Sequence, residues 1–166
     1  MKASNKIKSF IIVMMTCSLL FIGCKKDKTA GDSSSLSPGK CQISCTVSGT
    51  TSGSFSSVDV VSTATKSGSI MNISGATASI PIQLMMFLIP TGFSTGSHNL
   101  ATSDDFAVTY TKDSNGWAAG NVGDDFTINI TKNDGTYFDA TFSGTLTNDT
   151  DHTTVTVSNG KIAARF

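Results

Sequence analysis

This chain of 166 residues predicts an all-β fold, a single antiparallel β-sandwich or flattened β-barrel of about eight or nine strands. Three observations predict it. Apolar and polar residues alternate over several short runs, clusters of Asp, Asn and Gly stand between those runs, and no window shows the 3.6-residue apolar stripe of a helix. The acidic residues agree, because all 12 are Asp. Asp favours turns over helix interiors.

The N-terminal segment sets the expected address. Lys2, Lys6 and Lys8 form a basic head, and the apolar run "SFIIVMMTCSLLFIG" follows, ending at Gly23-Cys24. The run has the length of a signal-peptide core and falls short of the roughly 20 apolar residues of a comfortable membrane span. A small residue directly before a cysteine, at the end of such a run, resembles the lipobox of bacterial lipoproteins. The flank "CKKDK" is similar to that of small lipoproteins of Bacteroidota. The resemblance implies cleavage before Cys24 and acylation of that residue, leaving a mature chain of 143 residues (24–166). Residues 25–40, "KKDKTAGDSSSLSPGK", are polar and rich in Ser, Gly and Lys. They are expected to form a flexible tether after residues 1–23 are removed.

Residues 41–166 have the length of one domain with one core. In order, the runs that read as strands are "CQISCTVS", "SVDVVSTAT", "SIMNIS", "ASIPIQLMMFLI", "FAVTYTK", "DFTINITK", "FDATFSGTL", "TTVTVS" and "KIAARF". The first places Cys41, Ile43, Cys45 and Val47 on one face. Asp113-Ser114-Asn115-Gly116, Asn133-Asp134-Gly135 and Asn148-Asp149 lie between alternating runs and read as hairpin turns. Asn159-Gly160 has the same turn chemistry.

With the strands in place, the pieces Thr91-Gly92, Ile128 to Thr131, Phe142-Ser143-Gly144-Thr145 and Asn159-Gly160-Lys161 resemble a family of small Bacteroidota lipoproteins of unknown function. The likeness covers most of 41–166. Its motifs are strand and turn signatures, so it implies a fold and a location and brings no catalytic residues with it.

Charge excludes one class of partner. Within 41–166, five basic residues face ten aspartates, a net −5. No basic stripe is available to neutralise phosphates, so nucleic acid is not an expected partner.

Several constellations invite a chemical reading. Gly92-Phe93-Ser94-Thr95-Gly96 matches the G-x-S-x-G of serine hydrolases. That elbow needs a helix behind the serine, whereas a turn and another strand are expected here, so no catalytic residue is assigned. Cys41 and Cys45 on one straight strand would have Cα atoms about 13 Å apart, beyond the roughly 4.4–6.8 Å of a disulfide. Two free thiols are expected, unless the chain folds back at the domain's start. Asp113-x-Asn115-Gly116 and Asn148-Asp149-x-Asp151 offer oxygen donors but lack the closing carboxylate of a calcium loop. No metal and no cofactor is expected.

The strand at 80–89 is apolar on both faces. Ile80, Ile82, Leu84, Met86 and Leu88 make one face and Met85, Phe87 and Ile89 the other. The larger set is expected in the core, which turns Met85, Phe87 and Ile89 outward. They are then covered by the chain itself, or they form a patch for a partner or ligand.

These readings together describe a lipid-anchored cell-envelope protein at the outer membrane, its periplasmic or surface orientation open. Its domain is expected to be a binding or structural module rather than an enzyme. The partner is the membrane, through the lipid anchor, with an envelope protein or a small hydrophobic ligand. The alternatives are a hydrophobic-ligand carrier with a barrel interior and, more distantly, a serine hydrolase.

Overall fold

The computed structural model describes residues 32–102, 105–121 and 123–166. The expected signal-peptide run, Cys24 and the first part of the expected tether lie outside the described residues. The strands are β1 (Lys40–Gly49), β2 (Gly53–Ser56), β3 (Thr63–Ser67), β4 (Ile70–Ala76), β5 (Gln83–Pro90), β6 (Gly96–Asn99), β7 (Ala107–Lys112), β8 (Asn115–Ala119), β9 (Phe126–Asn133), β10 (Tyr137–Thr147) and β11 (Thr154–Arg165). Among the described residues the only helical pieces are three-residue 3₁₀ turns at Ser33–Ser35 and Asp59–Val61. The fold is all-β.

Nine strands lie on one hydrogen-bonded path, β2-β1-β11-β10-β8-β7-β5-β4-β3, while β9 pairs with β10 and β6 pairs with β9. All these pairings are antiparallel. The sheet curls until its two ends meet. Ser57 N–H donates to the Ile43 carbonyl at 2.8 Å, Val58 N–H to Ala76 at 3.0 Å, and Ala64 N–H to Gly39 at 2.9 Å. The first extends the β1–β2 ladder, and the other two tie that edge to β4 and β3. Satisfying backbone groups there is what lets the curled sheet bury its inner face.

Two glycines make the curl. Asn159-Gly160 does not separate two strands. It is a bulge inside the twelve-residue β11, where the register with both β1 and β10 shifts and Asn159 takes φ +53°. A bulge bends its strand and increases the local twist. A Cβ on Gly160 would lie 2.5 Å from the Phe142 ring, so only glycine lets that ring lie against β11. Gly144, at φ +153°, sits where β10 passes from β9 to β8, and a Cβ there would lie 2.5 Å from the Phe126 Cα. Close packing against the Phe142 ring and the Phe126 backbone thus explains why glycine stands at 160 and 144.

Three expectations change. Residues 57–65 are not one strand, because Asp59–Val61 turns and β3 begins at Thr63. The short strands β2, β6 and β8 are additional to the expected runs. The domain also begins before Cys41. Ser33 is buried and donates through its hydroxyl to Asp139 Oδ2 at 2.8 Å, Leu36 is buried, and Arg165 Nη1 donates to the Leu36 carbonyl at 2.9 Å. Residues 32–40 therefore pack on β10 and β11 rather than extending the tether.

The core is filled by side chains. Phe87 meets Phe142 edge-on at 4.9 Å between ring centroids, Phe126 stacks on Phe142 at 6.1 Å, and Tyr110 lies between Phe55 and Trp117 at 6.3 and 5.8 Å. Burial of each such side chain contributes about 1.5–3 kcal/mol.

Candidate functional site

Gly92-Phe93-Ser94-Thr95 is a connection from β5 into β6, and no helix follows the serine. Phe93 anchors it, stacking on His98 at 4.0 Å with an 8° angle and meeting Phe106 edge-on at 6.2 Å. His98 does approach this loop. Its Nε2 lies 2.9 Å from the Ser94 backbone oxygen, a contact that pins the turn rather than addressing the hydroxyl. Asn133 Nδ2 donates to the Phe93 carbonyl at 2.7 Å from the other side. The nucleophile-elbow geometry is absent from this stretch.

Cys41 and Cys45 are both free and buried, as a straight β1 requires. The single proton of the Cys41 thiol has two carbonyl acceptors within reach, Ser74 at 3.2 Å and Thr63 at 3.4 Å from Sγ. Burial pushes both thiols up to about 12. A thiol held protonated is a poor nucleophile, so neither is a candidate for catalysis, and Cys41 packs in the seam between β1 and the β3–β4 pair.

The doubly apolar strand reverses its expected faces. Met85, Phe87 and Ile89 are fully buried and form the core side of β5. They are not a surface patch. The reason lies at the strand's start: Ile80 and Ile82 precede β5 in a loop whose base is closed by Thr77 N–H to the Gln83 carbonyl at 2.9 Å and Gln83 N–H to Thr77 Oγ1 at 3.0 Å. Counting them with the strand made the wrong face look larger.

The outward face is therefore Leu84, Met86 and Leu88, all half-buried. Across the sheet they are flanked by Ala76, Ser74 and Asn72 on β4 and by Thr111, Thr109 and Ala107 on β7. Ile80 and Ile82, in the loop that leads into the strand, are 94% and 51% exposed. Among the described residues every exposed large hydrophobic side chain (Val60, Val61, Ile70, Ile80 and Ile82) comes from the 23 residues 60–82. From 60 to 102 the sequence carries one charge, Lys66, besides His98. Asn72 adds a buried Oδ1 with no hydrogen-bond partner, on the residue paired with Leu88. Depletion of charge around exposed apolar residues marks interaction surfaces.

The two acidic turns, far apart in sequence, meet at one end of the domain. Asp113 and Ser114, at φ +55° and +62°, form the two-residue β7–β8 hairpin loop. Asp151 lies in the β10–β11 turn, where its carboxylate accepts from Thr153 N–H at 3.0 Å and Thr153 Oγ1 at 2.7 Å. Those bonds hold the Asp151 carboxyl below its usual range. Between the turns is a cleft of about 380 Å³ that also includes Lys112 and Trp117. Among the described residues no three His, Cys, Asp or Glu side chains are grouped to hold a metal ion. Sequence reasoning marked both acidic turns but not their convergence, for which the lone tryptophan beside one of them was the available signal.

No protein-family model, curated protein or solved structure matches this chain.

Proposed function

We propose that this protein is a lipid-anchored cell-envelope binding module of the outer membrane, akin to the small Bacteroidota lipoproteins that its sequence resembles. Cys24 carries the acyl anchor. The charge-poor stripe of Ile80, Ile82, Leu84, Met86 and Leu88 docks an apolar segment of another envelope protein. The observation that carries this reading is a set of apolar side chains close in sequence, half-buried on the outer face of β5 and almost fully exposed at Ile80 in the loop before it.

Size decides the kind of docking. Eight residues of β5 with its two neighbours cover roughly 27 by 10–14 Å, or about 300–400 Å². A stable interface buries about 800 Å² on each partner. The stripe therefore suits weak, narrow contact with a loop or strand. Confinement to one membrane raises the effective concentration and makes weak contact sufficient. The carrier alternative draws no support from a core filled by Phe55, Phe87, Phe126, Phe138 and Phe142.

The anchor and the surface are tested together in intact cells. Labelled palmitate should enter the parent protein and not Cys24→Ala. A photo-cross-linking residue at position 82 should capture a discrete envelope protein, while one at 141, on the outer face of β10, should not. Palmitate incorporation into Cys24→Ala would remove the anchor from the account, and equal capture at 82 and 141 would remove the docking face.

A further inference from the structure

We propose, independently of the docking stripe, that the cleft between the β7–β8 hairpin and the β10–β11 turn binds a neutral polyhydroxylated ligand, a sugar ring. The cleft's volume, about 380 Å³, lies at the small end of ligand sites.

Its walls are fixed before any ligand arrives. Lys112 Nζ donates to Thr51 Oγ1 at 2.8 Å and to the Ser52 carbonyl at 3.4 Å, tying the β1–β2 loop to the end of β7. Trp117 Nε1 donates to Thr153 Oγ1 at 3.1 Å, and that hydroxyl donates to Asp151. The indole is 4% exposed and stacked on Tyr110, so it forms a rigid floor. Preorganised polar groups bind at a smaller entropic cost than groups that must be ordered.

The chemistry of the lining selects the class. Asp113 and Asp151 offer carboxylate acceptors, Lys112 and Asn115 offer donors, and the threonine hydroxyls serve as either. The side chains of Asp113 and Asn115 make no hydrogen bond among the described residues, and both residues are exposed at the mouth. Two carboxylates against one ammonium disfavour an anion. The ammonium, held on Thr51, disfavours a metal cation. A neutral ligand that both donates and accepts at closely spaced positions satisfies the whole set, and sugar hydroxyls do so.

The only tryptophan in the chain lines the cleft, so its emission reports this site alone. The purified protein is titrated with glucose, galactose and N-acetylglucosamine, and separately with calcium chloride. At least one sugar should give a saturable emission change, with a Kd on the order of 1 mM. That affinity should weaken at least about tenfold in Asp113→Asn, which removes the carboxylate but keeps a residue suited to the left-handed turn, and in Lys112→Met, with both variants still folded cooperatively and melting within a few degrees of the parent. Saturation-transfer NMR on the same sugars checks the emission result. Absence of a saturable response to all three sugars by both methods would overturn the proposal. So would titrations unaltered in both variants, or a saturable response to calcium alone.

Discussion

Phe87→Ser tests which face of β5 holds the domain together. Phe87 is fully buried, pairs with Ile73 and Val108 on the neighbouring strands, and packs edge-on against Phe142 at 4.9 Å. Truncating a buried phenylalanine costs about 3–5 kcal/mol through lost transfer energy and the remaining cavity. A serine hydroxyl left without a partner there adds about 1–3 kcal/mol. The loss is therefore at least about 4 kcal/mol, a large part of the roughly 5–15 kcal/mol that keeps a domain folded. At about 3–5 °C per kcal/mol for a domain of this size, the melting temperature should fall by at least about 12–20 °C. Leu88→Ser changes the half-buried face one residue away and should cost about 1 kcal/mol or less. Thermal unfolding followed by circular dichroism compares the two variants with the parent. If Phe87→Ser melts with the parent while Leu88→Ser is strongly destabilised, the face assignment is wrong.

Gly160→Ala should destabilise the domain by about 1–3 kcal/mol in a denaturant titration, because its methyl group would overlap the Phe142 ring and overpack the bulge. Cys41 and Cys45 should resist a maleimide in the native protein at pH 8 and both react in denaturant without any reductant, since they are free and buried. Their raised folded values give the pH dependence a definite sign. The unfolded thiols ionise near pH 9 and the folded ones near 12, so their contribution is present below pH 9 and is lost as pH rises between those values, measurable as a falling unfolding midpoint. Ser94→Ala should leave partner capture unchanged, and a fluorophosphonate probe should not label the folded protein at Ser94.

Period-2 alternation located β1, β4, β7, β9 and β10 because each has one face of fully buried apolar side chains and a more polar opposite face, mostly half-buried or exposed, with Gln42 of β1 the buried exception. The Asp-Ser, Asn-Asp-Gly and Asn-Asp turns were legible for a related reason: Asp134 and Asn148 cap their own turns, accepting from Thr136 N–H at 2.9 Å and Thr150 N–H at 2.8 Å. Short strands were not legible. "GSFS" and "NGWAA" hold too few side chains to show a period, and their pairing is imposed by β1 and β7. Asn159-Gly160 looked like a turn because a bulge needs the same positive φ. The docking stripe was half legible. Two apolar faces were evident on 80–89, but which one lay inside depended on where β5 began, and a loop closed by Thr77 and Gln83 sets that point. The cleft depended on the meeting of turns some 38 residues apart (113 and 151), which no local pattern encodes.

In the function proposed, the outer face of β5 and the loop before it form the working surface of a membrane-held binding module. The most direct measurement pairs binding with stability in the double variant Ile80→Asp/Ile82→Asp, at two exposed loop positions outside the core. The partner captured at position 82 is purified, and its affinity for parent and variant is measured by calorimetry alongside their melting temperatures. Affinity should fall at least about tenfold, or roughly 1.4 kcal/mol, with melting temperatures within about 2 °C of each other. Unchanged affinity in a variant that melts like the parent would contradict that function.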